Sequence, residues 1–244
     1  MKIIESAANP LIKEVVKLHQ SKYRASLRKF IAEGVRTCST LVKFDFKPLA
    51  LFSTEEMLAS AEPLTTPEGL FLISDTLMRK ISPSSSPSGL IGILAIPTPT
   101  AAKLEPGLIL TRVADPGNMG TLIRSAVSMG KTNIIVIEGA DPWGPKVVQA
   151  SAGTVGGIKI LRMTWSEVLA SPSRPPLCAL VVEGGKDPST LNLKNTLLVV
   201  GNEAHGIPAE WLSSCQERLT LPMPGNTESL NAAVAGSIAL YLTR

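Results

Sequence analysis

Residues 108–130 read LILTRVADPGNMGTLIRSAVSMG, in which an apolar run, a turn and a helical pattern follow one another. The apolar run predicts a strand over 108–113, and the Asp-Pro-Gly-Asn of 115–118 consists of residues that let a chain reverse and begin a helix. Gly130 is typical of the residue just past a helix end. Strand, tight turn and helix in this order predict a unit of an α/β fold.

Four further apolar runs are similar in character to the one at 108–113. They cover residues 133–137, 177–182, 197–200 and 218–221, with helical stretches between them. Continuous apolar runs, as opposed to alternating ones, are typical of strands in a parallel sheet that is covered on both faces. The second part of the chain is therefore predicted to form a mostly parallel sheet.

The first part of the chain predicts a smaller α/β domain. Asn9 and Pro10 are typical of the start of a helix, and short strands and helices alternate after it. The predicted strands are 30–32, 48–52, 70–73 and 90–96, and the predicted helices are 35–44, one opened by Ser53 or Thr54, and one opened by Ser74 or Asp75. Closely spaced prolines in PTPTAAKLEPG, 97–107, predict a linker. We therefore predict two domains, 1–97 and 106–244.

Composition and cysteine usage exclude several classes of protein. With 44% hydrophobic and 18% charged residues, the chain is not of the disordered or low-complexity kind. Its longest apolar stretch, 90–97, is far shorter than the roughly 20 residues that span a bilayer. The first residues lack the pattern of a secretory signal, so a cytoplasmic protein without a membrane segment is expected. Cys38, Cys178 and Cys215 are far apart in sequence, which favours reduced thiols over a disulfide framework or a zinc site.

Charge is distributed unevenly along the chain. The net charge is +4, but the first 47 residues contain ten basic and four acidic residues, which leaves −2 on the remainder. A local basic excess favours an anionic partner such as nucleic acid. Aromatic residues make up only 4% of the chain, so binding through phosphate contacts and shape is expected more than stacking on aromatic rings.

Several common cofactor and catalytic motifs are absent from the sequence. There is no GxGxxG after a strand, no GxxxxGK(S/T), no HExxH and no GxSxG. His19 and His205 are the two histidines, which argues against a histidine-based triad or metal cage. We therefore expect no metal site.

Three polar clusters follow predicted strands, where open α/β sheets place their ligands. The first, after 108–113, contains Asn118 and Arg124, and the helix-start amides near Gly120 suit an anion or a ribose phosphate. An ordinary strand-to-helix connection is the alternative reading of this cluster. The second is GNEAHGIP, 201–208, where Glu203 is either a site carboxylate or a charge at the start of a helix.

The third cluster, PMPGNTESLN at 222–231, leads into the last predicted helix. Ser229 is either a site residue or a plain N-cap, and Asn231 needs a partner because an unpaired buried amide costs roughly 1–3 kcal/mol. The helix is apolar or small on every side. One stripe of it contains Leu230, Val234, Ile238 and Leu242. Such a helix is usually buried on more than one side, as a partner subunit would achieve.

Together the three clusters carry a family resemblance. The segments DPGNMGTLIRSAVSMG (115–130), LLVVGNEAHGIP (197–208) and LTLPMPGNTESLNAAVAGSIALY (219–241) resemble, in order and spacing, the three motifs of the SpoU, or TrmH, family. Its members are S-adenosylmethionine-dependent RNA ribose 2′-O-methyltransferases of the SPOUT superfamily. The segment NPLIKEVVKLHQSKYRASLRKFIAEGVR, 9–36, is similar to the amino-terminal substrate-binding domain of many members, whose fold is similar to that of ribosomal protein L30e.

The resemblance implies an architecture and an activity. It implies a C-terminal α/β domain with a mostly parallel sheet and a trefoil-knotted chain end, a smaller L30e-like α/β domain before it, and a homodimer. The implied reaction is 2′-O-methylation of a ribose in RNA with S-adenosylmethionine as cofactor and without a metal. Ribosomal RNA is the first substrate expectation and transfer RNA the second. A catalytically inactive RNA-binding or assembly factor, and an enzyme acting on a small metabolite, are the alternatives from other classes.

The resemblance also implies roles for individual residues. Gly201, Leu221 and Leu230 are expected to contact the cofactor. The implied catalytic set is Asn118, Arg124, Glu203, Ser229 and Asn231. An arginine is an awkward general base because its pKa exceeds about 12, so we expect Arg124 to hold the target phosphate and stabilise the developing alkoxide. Arg124 of one subunit is expected to face the cofactor of the other.

Two points stay open at this level. The proton acceptor is either a neighbouring phosphate or a carboxylate, while Asn118, Ser229 and Asn231 are expected to orient the ribose and the loops. The chain also departs from the family at Val155-Gly156-Gly157, where members often carry a bulky residue.

Overall fold

The computed structural model describes residues 1–98, 103–225 and 228–242, which form two compact units. The first unit contains Met1–Thr98 together with Asp141–Gly156, and the second contains the rest of the described chain. The domain bounds 1–97 and 106–244 stay a prediction. The structure adds that 141–156, which lies within the second predicted domain, packs with the first unit.

The first unit is built on a mixed five-stranded sheet of order β1-β4-β3-β5-β2. Its strands are β1 (Lys2–Ile4), β2 (Lys29–Glu33), β3 (Ala50–Ser53), β4 (Leu70–Ile73) and β5 (Leu90–Ala95). Its helices are α1 (Pro10–Lys17), α2 (Ser21–Leu27), α3 (Val35–Lys43), α4 (Leu58–Ala61), α5 (Asp75–Ile81) and, from the later segment, α7 (Pro145–Ala150). Strand β5 is antiparallel to both of its neighbours, whereas β4 is parallel to both of its own.

Local sequence signals explain how helices of the first unit begin. The Asn9 side chain accepts a hydrogen bond from the Leu11 amide at 2.9 Å, and Pro10 occupies the first turn of α1. Ser74 caps α5 in the same way. Both helix starts confirm the prediction. The prediction missed β1, a three-residue strand whose place depends on its pairing with β4.

The segment 141–156 is held to the first unit by a buried ion pair and by packing. Arg24, which is 5% exposed, donates to Asp141 Oδ2 at 2.6 and 2.8 Å and to the carbonyl of Leu18. A Cβ on Gly156 would lie 2.9 Å from a methyl carbon of Leu41. The departure from the family pattern at this glycine therefore fits close packing within the first unit.

Part of the N-terminal basic excess is used inside the fold. Besides the buried Arg24, Lys29 pairs with Glu14 at 2.6 Å, and Arg28 donates to the carbonyl of Pro97. The excess of +6 is therefore not all available to an anionic partner, which corrects the simplest interpretation of the charge distribution. Exposed basic side chains remain on the helices, among them Lys13, Lys17, Lys22 and Arg36.

The second unit is built on a six-stranded sheet of order β11-β9-β10-β6-β7-β8. Its strands are β6 (Gly107–Thr111), β7 (Asn133–Ile137), β8 (Lys159–Arg162), β9 (Leu177–Leu180), β10 (Leu197–Val200) and β11 (Glu217–Leu219). Its helices are α6 (Pro116–Ser128), α8 (Trp165–Ala170), α9 (Ala209–Leu212) and α10 (Ala232–Leu242). Every strand pair of this sheet is parallel, which confirms the predicted parallel sheet. The edge strand β8 was missed.

The strand order determines where the three polar clusters meet. Strands β6 and β10 are neighbours, with Val200 beside Leu110, so the chain leaves both strands at the same edge of the sheet. Helix α10 returns to pack on α6, where a Cβ on Gly236 would lie 2.4 Å from a methyl carbon of Leu122. Close approach of these two helices therefore requires a residue without a side chain at this position.

No helix within 1–98, 103–225 or 228–242 combines the length and apolar character needed to cross a membrane.

Candidate functional site

A cleft of about 250 Å³ opens at the carboxyl edge of the second unit's sheet. Its apolar wall includes Leu180 and Val181 from the end of β9, and its floor is the loop that begins at Gly201 after β10. Leu221 and Leu230 close the side formed by the chain after β11. The structure therefore brings the three residues expected to contact the cofactor to one cleft.

Gly201 allows the loop after β10 to fold back on itself. The amide of Asn202 donates to the Gly206 carbonyl at 3.0 Å, and the Gly206 amide donates back at 2.9 Å. A Cβ on Gly201 would lie 2.4 Å from the carbonyl carbon of Gly206 and 2.6 Å from the amide nitrogen of Ile207. Because these are backbone atoms, any side chain at position 201 would displace the loop.

Glu203, Asn118 and Asn231 form a chain of hydrogen bonds across the three clusters. Asn118 Nδ2 donates to Glu203 Oε1 at 3.0 Å, and Asn231 Nδ2 donates to Asn118 Oδ1 at 3.0 Å. These residues belong to three separate segments of the chain. Three of the five predicted catalytic residues are thus connected directly.

The Glu203 carboxylate also holds the turn before α6. It accepts from the amides of Ala114 at 3.2 Å and Asp115 at 3.1 Å. Partial burial raises the pKa of Glu203, but hydrogen bonds from the Asn118 side chain and from nearby backbone amides outweigh it, so the pKa lies below its ordinary value. Glu203 is therefore an ionised group that braces a loop, and it is not the first charge of α9, which begins at Ala209.

The start of α6 is occupied by the protein's own carboxylates. Asp115 Oδ1 caps the helix by accepting from the Asn118 amide at 2.7 Å. Glu203 accepts from the amides of Ala114 and Asp115, just before the helix. The expectation that free amides near Gly120 receive an anion is therefore wrong, because a second negative charge would meet two carboxylates there. The Asp-Pro pair at 115–116 is a helix-start signal from which this cap was predictable.

The last helix begins later than expected, and Asn231 caps it. Asn231 Oδ1 accepts from the amides of Ala233 at 2.9 Å and Val234 at 3.2 Å. The interpretation of Ser229 as the N-cap is wrong, because two residues separate it from the first helical residue, Ala232. Ser229 is exposed and lines the cleft.

Arg124 is placed apart from the other predicted residues. It lies on α6 with its side chain exposed, and it does not line the cleft of its own chain. Its guanidinium forms no hydrogen bond or ion pair with any of the described residues. Arg124 therefore presents an unused positive charge to the surroundings of the unit.

Sequence reasoning missed Asn202, which secures the loop after β10. Its Nδ2 donates to the Arg112 carbonyl at 2.9 Å, and its Oδ1 accepts from the amides of Ala204 and His205. An asparagine two residues before such amides is a turn signal that was available in the sequence. Its long-range bond to Arg112, in contrast, depends on the pairing of β6 with β10.

Replacing the Glu203 carboxylate should change how stability depends on pH. Because the folded pKa is below the ordinary value of 4.5, ionised Glu203 stabilises the fold above that pH, and this contribution is lost as the pH falls through the folded pKa. In urea unfolding, Glu203→Gln should be less stable than the wild type at pH 7, and the difference should shrink towards pH 3. A difference that grows on acidification would contradict this assignment.

In the described ranges, no group of three or more histidine, cysteine, aspartate or glutamate side chains is arranged to hold a metal ion.

Family models match both parts of the chain. Residues 106–241 match the SpoU rRNA Methylase family, and residues 9–92 match the MRM3-like substrate binding domain. Over the full length of both chains, the protein is 27% identical to a Bacillus subtilis protein named 23S rRNA (guanosine(2553)-2′-O)-methyltransferase RlmP.

Solved structures with bound cofactor are also similar. An AdoMet-bound rRNA methyltransferase from Sinorhizobium meliloti superposes with a TM-score of 0.87 at 27% identity, covering 100% of this chain and 97% of the other. The SpoU methyltransferase AviRb from Streptomyces viridochromogenes, in complex with AdoMet, gives a TM-score of 0.85 at 25% identity and covers 96% and 97%. Since the family model spans more than half of the sequence, the chain belongs to the SpoU rRNA methylase family.

Proposed function

We propose that this protein is an RNA methyltransferase that uses S-adenosylmethionine to methylate the 2′-hydroxyl of a ribose, with ribosomal RNA as substrate. The observation that carries the proposal is the cleft lined by the second and third family motifs, to which the first motif is joined by the hydrogen bonds of Asn118 with Glu203 and Asn231. Its relatives named for 23S rRNA 2′-O-methylation support the substrate class. Transfer RNA stays an outcome of the test.

The residues around the cleft fit S-adenosylmethionine. Leu180, Val181 and Leu221 offer an apolar wall for a nucleobase, while the backbone of the loop after Gly201 supplies polar groups beside it. Gly201 leaves space that a Cβ would remove. We assign the cofactor to Gly201, Leu221 and Leu230. When bound, it supplies a methyl group on a positively charged sulfur, which is the electrophile of the reaction.

The role proposed for Arg124 follows from its guanidinium, which has no partner among the described residues. A ribose hydroxyl is a weak acid, so its O–H bond must be partly broken as the new bond from the oxygen to the methyl carbon forms. A guanidinium stays protonated because its pKa exceeds about 12, and it can bind a phosphate while stabilising negative charge on the oxygen. Arg124 therefore acts through charge, not as the base.

Glu203 is a positioning residue in this proposal. Its two oxygens already accept four hydrogen bonds, from Ala114, Asp115, Asn118 and Asn202, and its lowered pKa makes it a weak base. This favours a phosphate oxygen of the RNA as proton acceptor over this carboxylate. Asn118 and Asn231 are held by the same network, and Ser229, without a partner in the described structure, is left to orient the ribose.

Methyl transfer is tested by incubating the protein with S-adenosylmethionine labelled in the methyl group and with unmethylated ribosomal or transfer RNA transcripts. We expect the label in ribosomal RNA, in a nucleoside linkage that resists alkali, as 2′-O-methylation does. Label only in bases would overturn the proposed reaction. Label only in transfer RNA would change the substrate class, and cofactor binding without any transfer would favour an RNA-binding factor.

A homodimer is part of the proposal. Helix α10 buries its small residues against α6, while Val234, Ile238 and Tyr241 on its outer face are 42–48% exposed. An apolar face on a short helix next to the cleft is typical of a subunit interface. A second copy would also explain how Arg124, outside its own cleft, reaches a cofactor. We also propose that the chain end is knotted. The protein is proposed to act in the cytoplasm, where it would encounter ribosomal RNA.

The interface can be tested at Ile238. An Ile238→Asp variant should weaken dimerisation on the order of a hundredfold, because a central apolar contact is replaced by a buried charge. Light scattering after size exclusion measures the mass. Val16→Asp, which changes an equally exposed apolar residue on α1, is the matched control and should leave the mass unchanged. A dimer that survives Ile238→Asp would remove α10 from the interface.

A further inference from the structure

A second cavity, of about 360 Å³, lies wholly within the first unit, between the serine-rich loop 82–89 and α7. Its apolar walls are formed by Ile31, Pro83 and Pro145. Glu33, Lys146, Gln149 and the side chains of the serine-rich loop provide its polar lining. The cavity thus combines flat apolar surface with several hydrogen-bonding groups, as sites for small ligands do.

Glu33 is a buried carboxylate in this cavity. It is 8% exposed and accepts from the Ser82 hydroxyl at 2.9 Å and from the Ser88 amide at 3.0 Å, both to Oε1. Among the described residues, Oε2 accepts only from the same Ser82 hydroxyl, at 3.0 Å, so it has acceptor capacity left. No lysine, arginine or histidine of the described chain lies within ion-pair distance of Glu33.

Lys146 lines the same cavity with the opposite charge. Its side chain is exposed, and within the residues that the structure describes it forms neither a hydrogen bond nor an ion pair. Since Lys146 and Glu33 do not pair with each other, the cavity offers an acceptor at one position and a cation at another. A ligand that fits both carries N–H donors at one end and an anionic group at the other.

We propose that this cavity binds one nucleotide of the substrate RNA, with a guanine base at Glu33 and its phosphate at Lys146. Guanine presents a ring N–H and an exocyclic amine side by side, which suits a carboxylate with acceptor capacity left. Ile31, Pro83 and Pro145 would cover the faces of the base. Proteins commonly read RNA through bases that are turned out of single-stranded loops, as such a pocket requires.

The cavity depends on both segments that the family models match. Glu33 lies in 9–92, whereas Lys146 lies in 106–241, and the Arg24–Asp141 ion pair holds the later segment to the first unit. The site therefore belongs to neither segment alone. This inference depends on RNA being the substrate, as proposed above.

The test uses Lys146→Ala, Glu33→Gln and the matched control Lys43→Ala in the full chain. Lys43 is an exposed lysine of the same unit outside the cavity. For methylation of a ribosomal RNA transcript, both cavity variants should raise KM about tenfold and leave kcat unchanged, since each removes one charged hydrogen-bonding group. Lys43→Ala should match the wild type. Lys146→Ala keeps the test meaningful if Glu33→Gln disturbs the loop, because Lys146 is exposed and unpaired in the described structure.

Binding of the same transcript is measured in parallel by filter retention, which tests whether the cavity contributes to RNA binding even if no methyl transfer is found. Guanosine and adenosine 5′-monophosphates are titrated by calorimetry. Weaker retention by both cavity variants, with a preference for the guanosine nucleotide that Glu33→Gln abolishes, supports the proposal. Methylation with unchanged KM and retention overturns it while leaving the proposed function intact. If the mononucleotides bind but neither cavity variant changes RNA retention or KM, the cavity is assigned to a free nucleotide. That result would overturn the proposal that it binds a nucleotide of the RNA.

Discussion

Arg124→Ala should reduce methyl transfer by about a hundredfold to a thousandfold while cofactor affinity changes less than about twofold. The loss is expected because removal of a charge that stabilises a developing anion typically costs two to three orders of magnitude in kcat. Cofactor affinity should persist because Arg124 is proposed to bind the RNA phosphate and not the cofactor, and because it forms no contact that holds a described loop in place. Calorimetry and label incorporation measure the two quantities separately.

The control for Arg124 is another exposed arginine of the second unit. Arg218→Ala removes a guanidinium from β11, outside the residues that line the cleft, and should leave turnover unchanged. Arg124→Lys, which keeps the charge but loses the planar fork, should lie between the alanine variant and the wild type. If cofactor binding and transfer were lost together in Arg124→Ala, the residue would be structural.

Gly201→Val should abolish measurable cofactor binding and lower the free energy of unfolding by about 1–3 kcal/mol. The physical reason is that a Cβ would lie 2.4 Å from the Gly206 carbonyl carbon, so the loop must open. Opening the loop would also shift Glu203 away from the turn before α6. Calorimetry and urea unfolding measure both effects. Gly225→Ala, where a Cβ meets no atom of the described residues within 4 Å, is the control and should be neutral. Wild-type affinity in Gly201→Val would remove this cleft as the cofactor site.

These two variants together test the shared site. In a dimer with Arg124 acting across the interface, a mixture of the two inactive variants forms heterodimers with one intact site, built from the cleft of one chain and the arginine of the other. Random exchange of subunits should restore about a quarter of the wild-type activity. No recovery after exchange would mean that Arg124 acts within its own chain.

Much of the second unit's sheet was predictable from local pattern. Continuous apolar runs indicate burial on both faces of a sheet. The strands at 133–137 and 197–200 accordingly have the predicted bounds. The Asn9-Pro10 and Asp115-Pro116 pairs report helix starts for a similar reason, since capping uses groups within three residues of each other. The short edge strands β1 and β8 were missed because pairing with a neighbour, not their own composition, makes them strands.

The amino-acid sequence by itself determined the α/β class, the parallel sheet and the positions of the three motifs, because side-chain pattern and turn chemistry act over a few residues. Only the tertiary structure decided that Glu203 binds the turn at 114–118, that Asn231 both caps α10 and reaches Asn118, and that Arg24 is buried with Asp141. Each of these contacts joins groups that are more than 80 residues apart or depends on where a helix begins. Their partners are chosen by strand order and packing, which local pattern does not record.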